Sequence, residues 1–244
     1  MFRVNTMMKQ IAIVTITLIS MTCSSCTITV KNADGDKTPC ITKTYDLKDF
    51  QNISLAGSGK IIFHQRQEYS VKAEASEAAL KNLDIRTEGG RLIISQERRR
   101  GGKKIVLGRN IDNYTITITA PTLSEFKMAG SGDFKCDSLQ SKSLFLSIAG
   151  SGDIDIRKVI AKEVTTKIAG SGDVDLGMHN VDNVSFSIAG SGDISTDMTN
   201  CGNVNVSIAG SGDISLRGNC RSVKQNVAGS GKINTQNLVI NGNK

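Results

Sequence analysis

Five aspartates recur at one phase of the chain: Asp133, Asp153, Asp173, Asp193 and Asp213. Successive members are 20 residues apart, and each directly follows an Ala-Gly-Ser-Gly string. If like positions stack at strand spacing, the carboxylates form a ladder with steps of about 4.8 Å. Adjacent charges at that distance repel by roughly 0.9 kcal/mol in water, and by more where solvent is excluded. Water, serine hydroxyls and backbone N–H groups of the glycine corner can relieve the repulsion, and so can a hard cation such as Ca²⁺. Turn capping is the preferred reading, because calcium-binding rolls repeat every nine residues with denser Gly and Asp. Lys60 and Lys232 occupy the equivalent place at the first and last strings, where they would offset the terminal charges.

The other reactive side chains are sparse. Cys201 and Cys220 stand eight residues before Ala209 and Ala228, so stacking would put their Cα atoms about 4.8 Å apart, inside the disulfide window. The alternative is two small core residues, in a column with Ala161 and Val181. Cys136 falls in an apolar column as a buried thiol, and Cys40 has no evident partner. None of these cysteines has zinc-site spacing. His64 and His179, the two histidines, lack the neighbours of a catalytic triad. The Gly-Ser-Gly-Lys strings at 57–60 and 229–232 lack the spacing and the following Ser/Thr of a phosphate loop. Arg98, Arg99, Arg100, Lys103 and Lys104, with Arg109, make the densest basic segment, a solvated loop or a contact for anionic glycans or headgroups. No cofactor is implied.

The elements that must position these groups follow from the repeat. Ala-Gly-Ser-Gly begins at residues 56, 129, 149, 169, 189, 209 and 228. Before each corner run apolar columns such as Met128, Ile148, Ile168, Ile188, Ile208 and Val227. After it run Phe134, Ile154, Val174, Ile194, Ile214 and Ile233. Alternation with Ser, Asp, Lys and Asn predicts two strands flanking each corner, each with one buried face. About six further residues close each coil. A coil of about 20 residues is too short for a propeller blade and suits a parallel β-solenoid, an all-β fold. The regular coils span 121–240, and 41–120 is a more irregular, decorated set of coils in the same domain, 41–244. Within it the sequence predicts a short helix over 75–83, a hairpin around Glu88-Gly89-Gly90 and a strand over 114–119.

The N-terminus reads as an address. Arg3 and Lys9 precede the apolar run 11–21, which is about 16 Å long as a helix, half a bilayer core. Residues 1–25 therefore read as a signal peptide, and small residues leading to Cys26 resemble a lipobox in which Cys26 is lipidated. The alternative is an ordinary cleaved secretory signal. Residues 26–40 form a polar tether, and the missing acidic residue after Cys26 favours the outer membrane, its side left open. Loss of 1–25 removes two cations and lowers the net charge from +7 to +5. Export and that modest charge argue against nucleic acid.

The strings FQNISLAGSGKIIFHQ, VKAEASEAALKNL, GGRLIISQ and YTITITAPTLSEFKMAGSGD resemble the GIN-domain family of auto-transporter adhesins over about residues 45–240. That resemblance implies a right-handed β-solenoid body, export, frequent lipid anchoring and adhesion, and supplies no catalytic residue. The combined expectation is a non-enzymatic binding or structural module of the cell envelope that meets a surface glycan or protein, with homo-oligomers through the solenoid ends open. The alternatives are a polysaccharide-processing β-helix enzyme, which the absence of Trp and the 4% aromatic content disfavour, and a Ca²⁺-stabilised roll.

Overall fold

The computed structural model describes residues 40–96, 98–100, 103–105 and 114–242. The signal peptide, Cys26 and the tether up to residue 39 lie outside the described residues. The N-terminal part comprises β1 (Cys40–Tyr45), β2 (Asn52–Gly57), β3 (Lys60–Gln65), β4 (Ser70–Ser76), α1 (Glu77–Asn82), β5 (Leu83–Glu88), β6 (Arg91–Gln96), β7 (Arg98–Arg100), β8 (Lys103–Ile105) and β9 (Thr115–Ala120). The regular part comprises β10 (Glu125–Gly130), β11 (Asp133–Cys136), β12 (Leu139–Gly150), β13 (Asp153–Gly170), β14 (Val174–His179), β15 (Asn183–Gly190), β16 (Ile194–Gly210), β17 (Ile214–Gly229) and β18 (Ile233–Ile240). It is a parallel β-solenoid of about six turns.

Stacking follows the 20-residue phase. Ile148 pairs with Ile168, Ile168 with Ile188 and Ile188 with Ile208, all in parallel register. Each of these side chains is buried, as are Ile154, Val174, Ile194 and Ile214 beyond the corner. The residues left to close each coil include a third, short strand face. Leu139 pairs with Val159 and Val159 with Met178, and all three side chains are buried. Val159 and Ala161 are buried on either side of the half-buried Ile160, the alternation of a short strand.

The corner explains its own composition. Gly170 sits at φ 139°, and a Cβ there would overlap the carbonyl oxygen of Gly150 in the coil below. Ser171 N–H donates to that same oxygen at 2.8 Å. The left-handed conformation and the close approach of stacked backbones both exclude a side chain.

The N-terminal part is more than a run of decorated coils. β2 and β3 stack under β10 and β11, with Ala56 beside Ala129. On their other side lie β6 and β9, which come later in the chain. The chain thus makes its first coil, leaves through β4 and α1, and returns as the outermost coil. β4 runs antiparallel on β9, β1 on β4, and β5 on β6. The predicted helix is α1: Ser76 caps it by accepting the Ala79 N–H, and Glu77 pairs with Lys81 at 2.7 Å.

Candidate functional site

The aspartate ladder is built as a chain of caps. The Asp153 carboxylate accepts the backbone N–H of Asp173 at 3.2 Å, Asp173 accepts that of Asp193 at 2.9 Å, and Asp193 accepts that of Asp213 at 2.7 Å. Asp213 in turn accepts the Lys232 N–H at 2.7 Å. At the other end Asp133 is paired in register with Lys60. Each carboxylate from Asp153 to Asp213 thus holds a donor of the next coil, which ties the ladder to the backbone. Among the described residues no group of three His, Cys, Asp or Glu side chains is arranged to hold a metal ion.

Other outward columns are also tied down. Lys135 meets Asp155 at 3.7 Å, Arg157 meets Asp137 at 3.4 Å, and Arg217 meets Asp197 at 2.9 Å, each across adjacent coils. Asp197 holds the Arg217 guanidinium above its ordinary pKa. An asparagine column runs at the third corner, where Asn180 and Asn200 both take φ 54°, a conformation asparagine tolerates. The Asn200 side-chain amide donates to Asn180 Oδ1 at 2.9 Å, and Asn219 Oδ1 accepts the backbone N–H of Asn200 at 2.9 Å. This column is visible in the sequence at the same period and was not singled out there.

Two features were not legible as sites. A surface groove of about 680 Å³ lies along the third face, lined by Gln140, Ser141, Lys142, Lys162, Asn180 and Asp182 among others. On the face before the corner, Phe145 points outward with Lys127 and Lys167 over its ring at 5.5 and 5.8 Å. Lys127 also pairs with Glu125 at 2.9 Å, and Arg91 pairs with the same carboxylate. Burial raises the Glu125 carboxyl, but hydrogen bonds and charge from Lys127 and Arg91 outweigh it and leave it below the usual range.

The remaining sequence candidates fall as follows. Cys201 and Cys220 are register partners in β16 and β17, both buried and both thiols. Burial pushes both upward, and Cys136 is driven to about 12 by the same cause. Cys40 is a half-buried free thiol. His64, in β3, and His179, in β14, belong to different coils. In the basic segment, Arg98–Arg100 pairs antiparallel with Lys103–Ile105 as a separate two-stranded ribbon, where a loop was expected. Arg109 lies outside the described residues.

A stack of Gly-cornered parallel coils, with its outward charges tied into columns, defines a β-solenoid protein. The chain belongs to the family described as "Putative auto-transporter adhesin, head GIN domain", whose model matches residues 49–235. Three solved structures share the fold. One, a "putative adhesin" from Bacteroides fragilis, is 22% identical with a TM-score of 0.63, over 82% of this chain and 97% of that one. A "putative lipid binding protein" from Parabacteroides distasonis is 23% identical with a TM-score of 0.56, over 82% and 96%. A "putative adhesin" from Parabacteroides merdae is 17% identical with a TM-score of 0.54, over 82% and 96%. No curated protein is similar in sequence.

Proposed function

We propose that the protein is a non-enzymatic adhesion module, exported and held at the outer membrane by a lipid on Cys26. The observation that carries the reading is the state of the outward charges. The carboxylates from Asp153 to Asp213 each accept a backbone N–H of the next coil, and the Asp–Arg and Asp–Lys pairs bridge coils. General acid–base catalysis on a polysaccharide needs carboxylates positioned toward substrate with distinct protonation states, which such caps oppose. What remains on the surface is hydrogen-bonding area: the groove with Lys142 and Lys162, and the Phe145 face. With the basic ribbon at Arg98–Arg100 and Lys103–Lys104, these suit an anionic surface glycan or protein. In an oxidising exterior, Cys201 and Cys220 are the pair expected to close, read as two thiols lost under non-reducing titration.

Two measurements test this. Labelling cells with a radioactive fatty acid should mark the wild type, whereas Cys26→Ser should lose the label and leave the membrane fraction. Immobilised envelope polysaccharide should retain the purified mature chain saturably and keep its own chain length. Shortening of the polymer would overturn the non-enzymatic reading, and absence of any retention would overturn the glycan as partner and leave a protein.

A further inference from the structure

From β10 to β16 every strand is paired on both sides. The last coil is not. Residues 222–229 of β17 pair with 203–210 of β16, while β18 pairs only with residues 214–220 of β17. Among the described residues, one edge of 222–229 and one edge of β18 therefore have no strand beside them. An unpaired strand edge presents a row of N–H and C=O groups, a template for another strand.

The core columns open at the same place. Ile208 is 1% exposed, but its neighbour in the next coil, Val227, is 42% exposed. Val239 and Ile240 in β18 are 60% and 53% exposed, and these three are the exposed large hydrophobics among the described residues.

Charge then decides what fits. Residues 121–213 carry twelve Asp and Glu against seven Lys and Arg. Residues 214–244 carry Arg217, Arg221, Lys224, Lys232 and Lys244 and no acid at all. A second copy docked C-terminal end against C-terminal end would set these cations against their own kind. A lipid surface answers the charge and the valines but offers no partner to the edge N–H and C=O groups. An extended acidic polypeptide answers all three features.

We propose that the C-terminal end of the solenoid captures an extended segment of a partner protein by β-augmentation. The segment carries Asp or Glu at the outward positions facing Lys224 and Lys232, and apolar residues at the alternate positions that cover Val223 and Val227. This deepens the adhesion reading, and rests on it only in making the protein a binding module.

The test uses the mature chain and a fluorescent, end-capped dodecapeptide of alternating glutamate and valine, followed by anisotropy. Saturable binding is expected, weakening as salt rises. Lys224→Glu combined with Lys232→Glu should weaken it about tenfold, as expected for reversing two partly screened pairs. Lys224→Gln should fall between, with far-UV circular dichroism unchanged for all variants. The lysine–valine dodecapeptide should not bind, and methylating alternate backbone nitrogens of the acidic peptide should abolish binding without altering its charge. Equal binding of the methylated peptide would overturn strand pairing. Failure of the acidic peptide to bind, charge-dependent binding to phosphatidylglycerol vesicles in its place, or mass that grows with concentration in sedimentation would each overturn the proposal. Unchanged retention on envelope polysaccharide in those cases would remove the edge site alone and leave the adhesion reading standing.

Discussion

At the scale of single residues, the ladder aspartates act as acceptors before they act as charges. Asp193 holds the Asp213 N–H at 2.7 Å, an interaction an asparagine Oδ1 reproduces. Asp193→Asn is therefore expected to leave the melting temperature unchanged or slightly higher, because the acceptor stays and like-charge repulsion between coils falls. A chelator should not shift the wild-type melting temperature. A clear drop in either experiment would restore a cation to the ladder. Two buried groups set a limit at the alkaline side. Burial pushes the Cys136 thiol to about 12, and burial likewise pushes the Tyr114 hydroxyl to about 12. Both are neutral when folded and ionise earlier when unfolded, so their contribution is intact below the unfolded pKa values, near 9 and 10. It is lost as pH climbs toward 12. Where a group titrates only in the unfolded chain, stability should fall by about 1.4 kcal/mol per pH unit. Denaturant melts between pH 9 and 11 should show a fall at least that steep, and Cys136→Ala should lessen it by about 1.4 kcal/mol per pH unit.

At the scale of the element, the corner is the part that admits least substitution. Gly170 and Gly89 both sit at positive φ, 139° and 56°, but only Gly170 has the backbone of another coil against it. Gly89→Ala should cost about 1 kcal/mol, the ordinary left-handed penalty. Gly170→Ala adds overlap with the Gly150 carbonyl and should cost on the order of 3 kcal/mol or more, measured by chemical denaturation. Equal costs would mean that the stacked backbones have room to part. The corners, the apolar columns and α1 were legible in the sequence because each is a local pattern: a repeated string, a period of two, a Ser cap before Glu and Ala. The third face was missed because its apolar residues, such as Leu139, Val159 and Met178, are not spaced evenly from coil to coil. The register slips between Ile156 and Val159, which blurs the column. The placement of β6 and β9 outside β2 and β3 was illegible for another reason. It is a long-range choice of which face of a coil to stack on, and both faces offer the same backbone. The groove and the Phe145 face were missed because they combine side chains from neighbouring coils, whose outward positions the apolar pattern does not constrain.

At the scale of the whole molecule, a solenoid is close to one-dimensional: each coil touches the next, and stability is nearly a sum over neighbours. The 20-residue spacing that brings Ile168, Ile188 and Ile208 into register must then be a unit that can be removed. Deleting residues 171–190 joins Gly170 to Ser191, two residues already adjacent in type within every corner. The apolar columns, the Ala-Gly-Ser-Gly corner and the Asp153-to-Asp193 step of the ladder all close up unchanged. The Phe186 and Leu176 layer is lost, and with it the contacts of one coil. Such a chain is expected to keep its strand signal in far-UV circular dichroism and to melt cooperatively, somewhat below the parent. Deleting only residues 171–180 removes the same kind of residues but half the period. That places Val181 where the corner Ser stood and throws every later side chain out of its column, so this chain should fail to fold. If both deletions behaved alike, whether folded or unfolded, the stacking of like residues along one axis would not be what holds the molecule together.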